Sequence, residues 1–170
     1  MKRLIILGAG GFGRTVADLA RQLGIYRGIC HLDDRPGDNV IGPLGSYAEH
    51  IDDNTKFLVA LGNNSLRMSL IDRILESGGK IATLIHPKAY VSPMATVAAG
   101  SMVLPMAVVN TDVTVGRGCI VNCGAIIDHG CVIEDGCHIS PGAIVKAENR
   151  IAAQSKIESG QVVANRTFPV

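Results

Sequence analysis

The chain has 170 residues, 47% of them hydrophobic, and a formal net charge of +1, enough apolar material for one or two small domains with a buried core. It has no basic run and only three Phe and three Tyr, so neither a phosphate-binding stripe nor a stacking platform for nucleic acid is present. No apolar stretch is long enough to span a membrane, and the first one gives way to glycines too soon for a signal peptide, so the expected compartment is the cytoplasm.

Arg3 to Leu7 has the pattern of a buried parallel strand. It runs into Gly8-Ala9-Gly10-Gly11-Phe12-Gly13, then into a helical pattern carrying Val16, Leu19, Ala20 and Leu23 and closed by Gly24. A second strand, Gly28 to Leu32, ends on Asp33-Asp34, and a third, Phe57 to Leu61, ends on Gly62-Asn63-Asn64. Ser65 to Ser77 follows as an amphipathic helix with Leu66, Leu70, Ile71, Ile74 and Leu75 expected inside. Lys80 to Leu84 is expected as a last short strand.

The first turn is a complete G-x-G-x-x-G between strand and helix, with an acidic residue about twenty positions later at the end of the next strand. Glycines there let the backbone approach a diphosphate, and the helix N-terminus supplies oriented N–H groups. Because the block stops near residue 84, it holds a single mononucleotide half, which suits a nucleotide diphosphate better than a dinucleotide. Two plainer possibilities stand beside this one. The glycines could serve tight packing alone, and Asp33 and Asp34 could simply end a strand.

From Ile85 to Val163 an Ile or Val returns at every sixth position. Three residues after many of them comes Gly (Gly100, Gly118, Gly124, Gly130, Gly136, Gly142, Gly160), and four after comes a small residue, among them Cys119, Cys131 and Cys137. A period of six fits a β-helix solenoid, each hexad a short strand and a corner. The expected architecture is a Rossmann-like α/β half domain over 1–84 followed by a hexapeptide solenoid over 85–170. The three cysteines then pack as small hydrophobes, and with no CxxC pairs neither zinc nor disulfides are expected.

Three hexads make a coil, so residues eighteen apart stack on one face. One face carries Tyr90, Val108, Ile126, Ile144 and Val162 outward, an apolar stripe a monomer rarely exposes, and a homotrimer through that face is expected. His129 lies at the corner directly after it, with Asp128 beside it, and His138 falls on a different face. A histidine with an acidic neighbour is a candidate general base near neutral pH, and a solvated corner residue is the plain alternative.

The order of parts resembles the sugar O-acyltransferase family, which takes in sialic acid O-acetyltransferases and bacillosamine-pathway UDP-amino-sugar N-acetyltransferases. The likeness rests on Gly8 through Gly13, Leu32-Asp33-Asp34, Ala60 through Asn64, Ile85-His86-Pro87, and Asn122 through His129 to Ala143. It implies a left-handed β-helix, a trimer, acetyl-CoA as donor and a nucleotide-linked sugar as acceptor, with neither metal nor covalent intermediate. His129, aided by Asp128, matches the base, and His138 a contact to acyl-CoA. Gly10, Gly11, Phe12, Asp33, Asp34, Gly62 and Asn63 fall where the nucleotide-sugar is held. Departures are Phe12 in place of the usual histidine, Gly130 where relatives carry an acid after the base, and an end at Val170 soon after the last hexad. Sugar O-acetylation, or a nucleotide-sugar-binding trimer without catalysis, are the alternatives.

Overall fold

The computed structural model describes residues 2–170, and its backbone contacts divide into one compact unit up to Ala82 and another from Thr83. In the first, β1 (Lys2–Leu7) lies between β2 (Tyr26–Leu32) and β3 (Thr55–Val59), all parallel. Leu7 pairs with Leu32 on one side and Val59 on the other, so the three C-terminal strand ends are level. Helix α1 (Gly11–Leu23) buries Val16, Leu19 and Ala20 as its 3.6-residue spacing requires, and Gly24 closes it in a left-handed conformation.

Helix α2 (Asn64–Glu76) departs from the sequence pattern. Leu66 and Leu75, expected inside, are exposed, and Arg67 and Met68 are buried instead. Leu70, Ile71 and Ile74 stay inside, while Arg67 takes a place in the middle of the inward stripe by folding back over the helix start, donating to the Leu61 carbonyl and the Asn64 side chain, both at 2.8 Å. Lys80–Leu84 also differs: it makes no strand of its own. Ile81 forms one isolated bridge with Phe57, and Leu84 belongs to the next unit's first strand.

The second unit is a left-handed parallel β-helix of two-residue strands in three sheets. One face stacks Leu84–Ile85, Met102–Val103, Ile120–Val121, His138–Ile139 and Lys156–Ile157. The second stacks Tyr90–Val91, Val108–Val109, Ile126–Ile127, Ile144–Val145 and Val162–Val163. The third stacks Thr96–Val97, Thr114–Val115, Val132–Ile133 and Arg150–Ile151. The inward column from Val103 to Val163 forms one core with Cys119, Cys131 and Cys137 fully buried in it. Ile85, in the first coil, is exposed rather than inward. On the second face Tyr90, Ile126 and Val162 are 55%, 38% and 52% exposed.

Every sixth residue from Gly100 to Arg166 has a positive φ, between +52° and +81°. Glycine accepts that conformation without strain, but Met106, Asp112, Glu148, Gln154 and Arg166 hold it too. From Gly100 onward the corner geometry therefore holds whichever residue falls there, while Met94 and Lys88, at the same position in the first coil, do not share it.

Candidate functional site

Two of the motif glycines are there for packing. A Cβ on Gly13 would lie 2.1 Å from the Gly8 carbonyl oxygen, and one on Gly8 would lie 2.8 Å from that of Ala60. A Cβ on Gly11 would meet nothing and one on Gly10 only the Arg35 guanidinium, at 3.8 Å; both line a cavity of about 460 Å³ with Arg14, His31, Asp33, Arg35 and Asp38. Gly10 stands at the N-cap of α1 and, having no side chain, does not itself cap the helix start.

Asp33 is committed within the protein. Its Oδ2 accepts the Ala9 N–H at 2.8 Å and its Oδ1 the Arg35 N–H at 3.0 Å, and its side chain is 11% exposed. The Ala9 bond, then that from Arg35, holds its carboxyl below the usual carboxylate range. Asp34 accepts the Leu44 N–H at 3.0 Å and does not line the cavity. Nor do Phe12, which is half-buried, or the exposed Gly62 and Asn63, and Asn63 caps α2 by accepting the Leu66 N–H at 2.9 Å. Lining side chains that escaped the sequence pattern include Arg14, Arg35, Asp38 and the buried His31. His31 Nδ1 lies 2.9 Å from the Gly8 carbonyl, so that nitrogen carries the proton. The basic pair flanking the motif was the available signal.

His129 stands exposed on the corner after Ile126–Ile127. Asp128 Oδ1 accepts the His129 backbone N–H at 2.8 Å and the Asn110 Nδ2–H at 3.1 Å. The carboxylate thus braces the turn, and among the described residues the imidazole makes no hydrogen bond. A cavity of about 270 Å³ opens beside it, lined also by Ala147, Glu148, Asn165 and Arg166. Glu148 is ion-paired with Arg166, whose hydrogen bond holds the Glu148 carboxyl below the usual range, and the charges of Arg166 and His129 add to the effect. Glu148, Asn165 and Arg166 were not anticipated. Their positions, eighteen or thirty-six residues from Gly130 and His129, were the sign.

His138 is half-buried on the first face, its Nε2 accepting the Asn122 Nδ2–H at 3.0 Å. His86 Nδ1 accepts the Lys88 N–H at 2.9 Å within its own turn. Neither lines the His129 cavity. Among the described residues no three His, Cys, Asp or Glu side chains come together as metal ligands do. Burial pushes the Cys131 thiol up, away from reactivity.

A glycine-turn α/β unit joined to a hexapeptide β-helix is the architecture of a hexapeptide-repeat acyltransferase. Residues 3–74 match the PglD N-terminal domain. The acetyltransferase domain of PglB from Neisseria gonorrhoeae FA1090, solved with acetyl coenzyme A, is 37% identical, with a TM-score of 0.93 over 97% of this chain and 83% of that one. On that match the chain belongs to the family of hexapeptide-repeat sugar acetyltransferases with a PglD-type N-terminal domain. UDP-N-acetylbacillosamine N-acetyltransferase from Bacillus subtilis (strain 168) is 31% identical over 112 residues, 61% of this chain. The match spans about half (52%) of that relative's length. GDP-perosamine N-acetyl transferase from Caulobacter crescentus, solved with CoA and GDP-perosamine, shares the fold at 24% identity, with a TM-score of 0.83 over 99% of this chain and 91% of that one.

Proposed function

We propose that this protein transfers an acetyl group from acetyl-CoA to the amine of a nucleotide-linked sugar, most simply a UDP-amino sugar. The observation that carries it is the 37% identity, along 97% of the chain, to a domain solved with acetyl-CoA. His129 takes a proton as the sugar nitrogen attacks the thioester carbonyl carbon. The carbon–sulfur bond then breaks, and the sulfur leaves as CoA thiolate and recovers the proton, giving the amide and free CoA thiol. His138 contacts the acyl-CoA arm. The nucleotide is held at the glycine-turn cavity, with Gly10, Gly11 and the cationic Arg14 and Arg35 toward the diphosphate and Asp33 bracing the loop. Phe12 and Asp34 neighbour lining residues in sequence and Gly62 and Asn63 follow β3, but none of the four lines the cavity.

The active assembly is a homotrimer joined through the Tyr90, Val108, Ile126, Ile144 and Val162 stripe, whose exposure supports an oligomeric face. It works in the cytoplasm in surface-polysaccharide synthesis. No helix among the described residues is long and apolar enough to cross a membrane.

The test is CoA-thiol release from acetyl-CoA with UDP- and GDP-linked amino sugars. His129→Ala is expected to lower kcat by about 10²- to 10⁴-fold while the trimeric mass in sedimentation is kept. Turnover unchanged by that substitution removes the base, and no turnover with any amino-sugar acceptor removes the activity.

A further inference from the structure

We propose that Glu148 is the carboxylate that positions the His129 imidazole, supplied from the next coil to a corner where the residue after the histidine is Gly130. The proposal rests on the acetyl-transfer reading of that corner.

Residues eighteen apart stack, so Asp112, Gly130, Glu148 and Arg166 form one ladder along the corner, all with φ between +52° and +65°. The Glu148 N–H donates to the His129 carbonyl at 3.1 Å, which ties the two turns together. A Cβ built on Gly130 meets a single atom within 4 Å, the Cγ of Glu148, at 3.4 Å. Glu148 therefore leans into the space that a side chain at 130 would take. It does so from a backbone conformation that glycine would hold without strain.

The charged groups around the imidazole can be taken in turn. Asp128 spends its Oδ1 on Asn110 and on the His129 backbone. Lys146 stands one coil above Asp128, and Asp112 one coil below Gly130. Only Glu148 and Arg166 line the same cavity as the ring. Arg166 fixes the Glu148 carboxylate and offsets part of its charge. A carboxylate so placed orients the ring and favours the imidazolium that forms when a proton arrives. Glu148 is a positioning residue: it acts through His129.

The test is a proton NMR titration of the histidines in the full chain, with His129 assigned by its absence from His129→Ala. Removing the carboxylate (Glu148→Gln) is expected to move the His129 midpoint down, and removing the guanidinium (Arg166→Gln) to move it up. Shifts of opposite sign follow from charge and not from loosened packing. In turnover, Glu148→Gln is expected to lower kcat about 10-fold with KM for both substrates held within about twofold, and Glu148→Asp to recover most of it. A His129 midpoint that neither substitution moves overturns the proposal, even where His129→Ala abolishes turnover. The opposite pattern, with shifted midpoints and no turnover in the parent protein, overturns the acetyl-transfer reading and leaves the Glu148–His129 pair standing. Should Glu148→Gln fail to fold, Glu148→Ala in the same titration decides: a His129 midpoint that stays in place overturns the proposal.

Discussion

The glycine-turn cavity and the His129 corner hold their polar groups in opposite ways. In the first, side chains are tied down by backbone of the same unit: Asp33 by the Ala9 and Arg35 N–H groups, His31 by the Gly8 carbonyl. In the second, the His129 ring stands exposed on a turn, and what surrounds it rises from the next two coils. An exposed apolar stripe begins directly beside it. Backbone hydrogen bonds preorganise a site inside one copy of the chain. A site raised on stacked turns borrows its geometry from its neighbours. The first cavity should therefore work in a monomer, and the second should need both the next coil and a second copy.

The largest effect that could break this contrast is Ile126→Glu. A carboxylate in the middle of the stripe is expected to give a monomer in sedimentation and to cut turnover by at least about 100-fold, because the second wall of the site is lost. UDP affinity, read by calorimetry, is expected to change by less than about twofold. A trimer that survives the substitution would show that another face joins the copies, and lost UDP binding would show that the two sites are not independent.

Next in size are Arg14→Ala and Arg35→Ala. Each removes a cation from the glycine-turn cavity and is expected to weaken UDP binding about 10-fold, with weaker salt dependence. His129-dependent chemistry at saturating acceptor should be little changed, so KM rises and kcat holds. A fall in kcat with constant KM would put these arginines at the chemistry rather than at the anchor.

The solenoid was legible almost in full, because a column of Ile and Val at period six leaves no competing fold and the corners from Gly100 onward keep one conformation whatever residue they hold. The apolar stripe and His129 followed from counting by eighteen. Counting on from Gly130 would also have reached Glu148 and Arg166, but their side chains meet His129 only through turn geometry that no local pattern carries. In the α/β unit, the elements were legible and their facing was less so. The pattern of α2 placed Leu66 and Leu75 inside because apolar spacing says nothing of a guanidinium, and Arg67 took the middle of the inward stripe by binding the start of its own helix and the loop before it. Asp33 was visible as an acid in the right place. Its two backbone partners were not.

That last point sets the smallest and most specific test of the contrast. Asp33 accepts two backbone N–H groups, and these hold its folded-state pKa below the unfolded value. A carboxylate of this kind contributes stability that is fully present above the unfolded pKa, near 4, and is lost as pH falls through the lower folded value. Asp33→Asn keeps the shape, but its Nδ2 faces an N–H donor, so one bond and the charge are lost. The thermal midpoint is expected to drop by about 4 °C at pH 7. The gap should narrow steadily below about pH 4 as the parent protein loses the same interaction by protonation. UDP affinity should fall with the loosened Ala9–Gly11 turn, while Glu148→Gln leaves it alone. A gap that stays constant across the acid range would mean that the loss does not come from the Asp33 charge, and the absence of any gap would mean that the glycine turn owes its order to Gly8 and Gly13 packing rather than to the carboxylate.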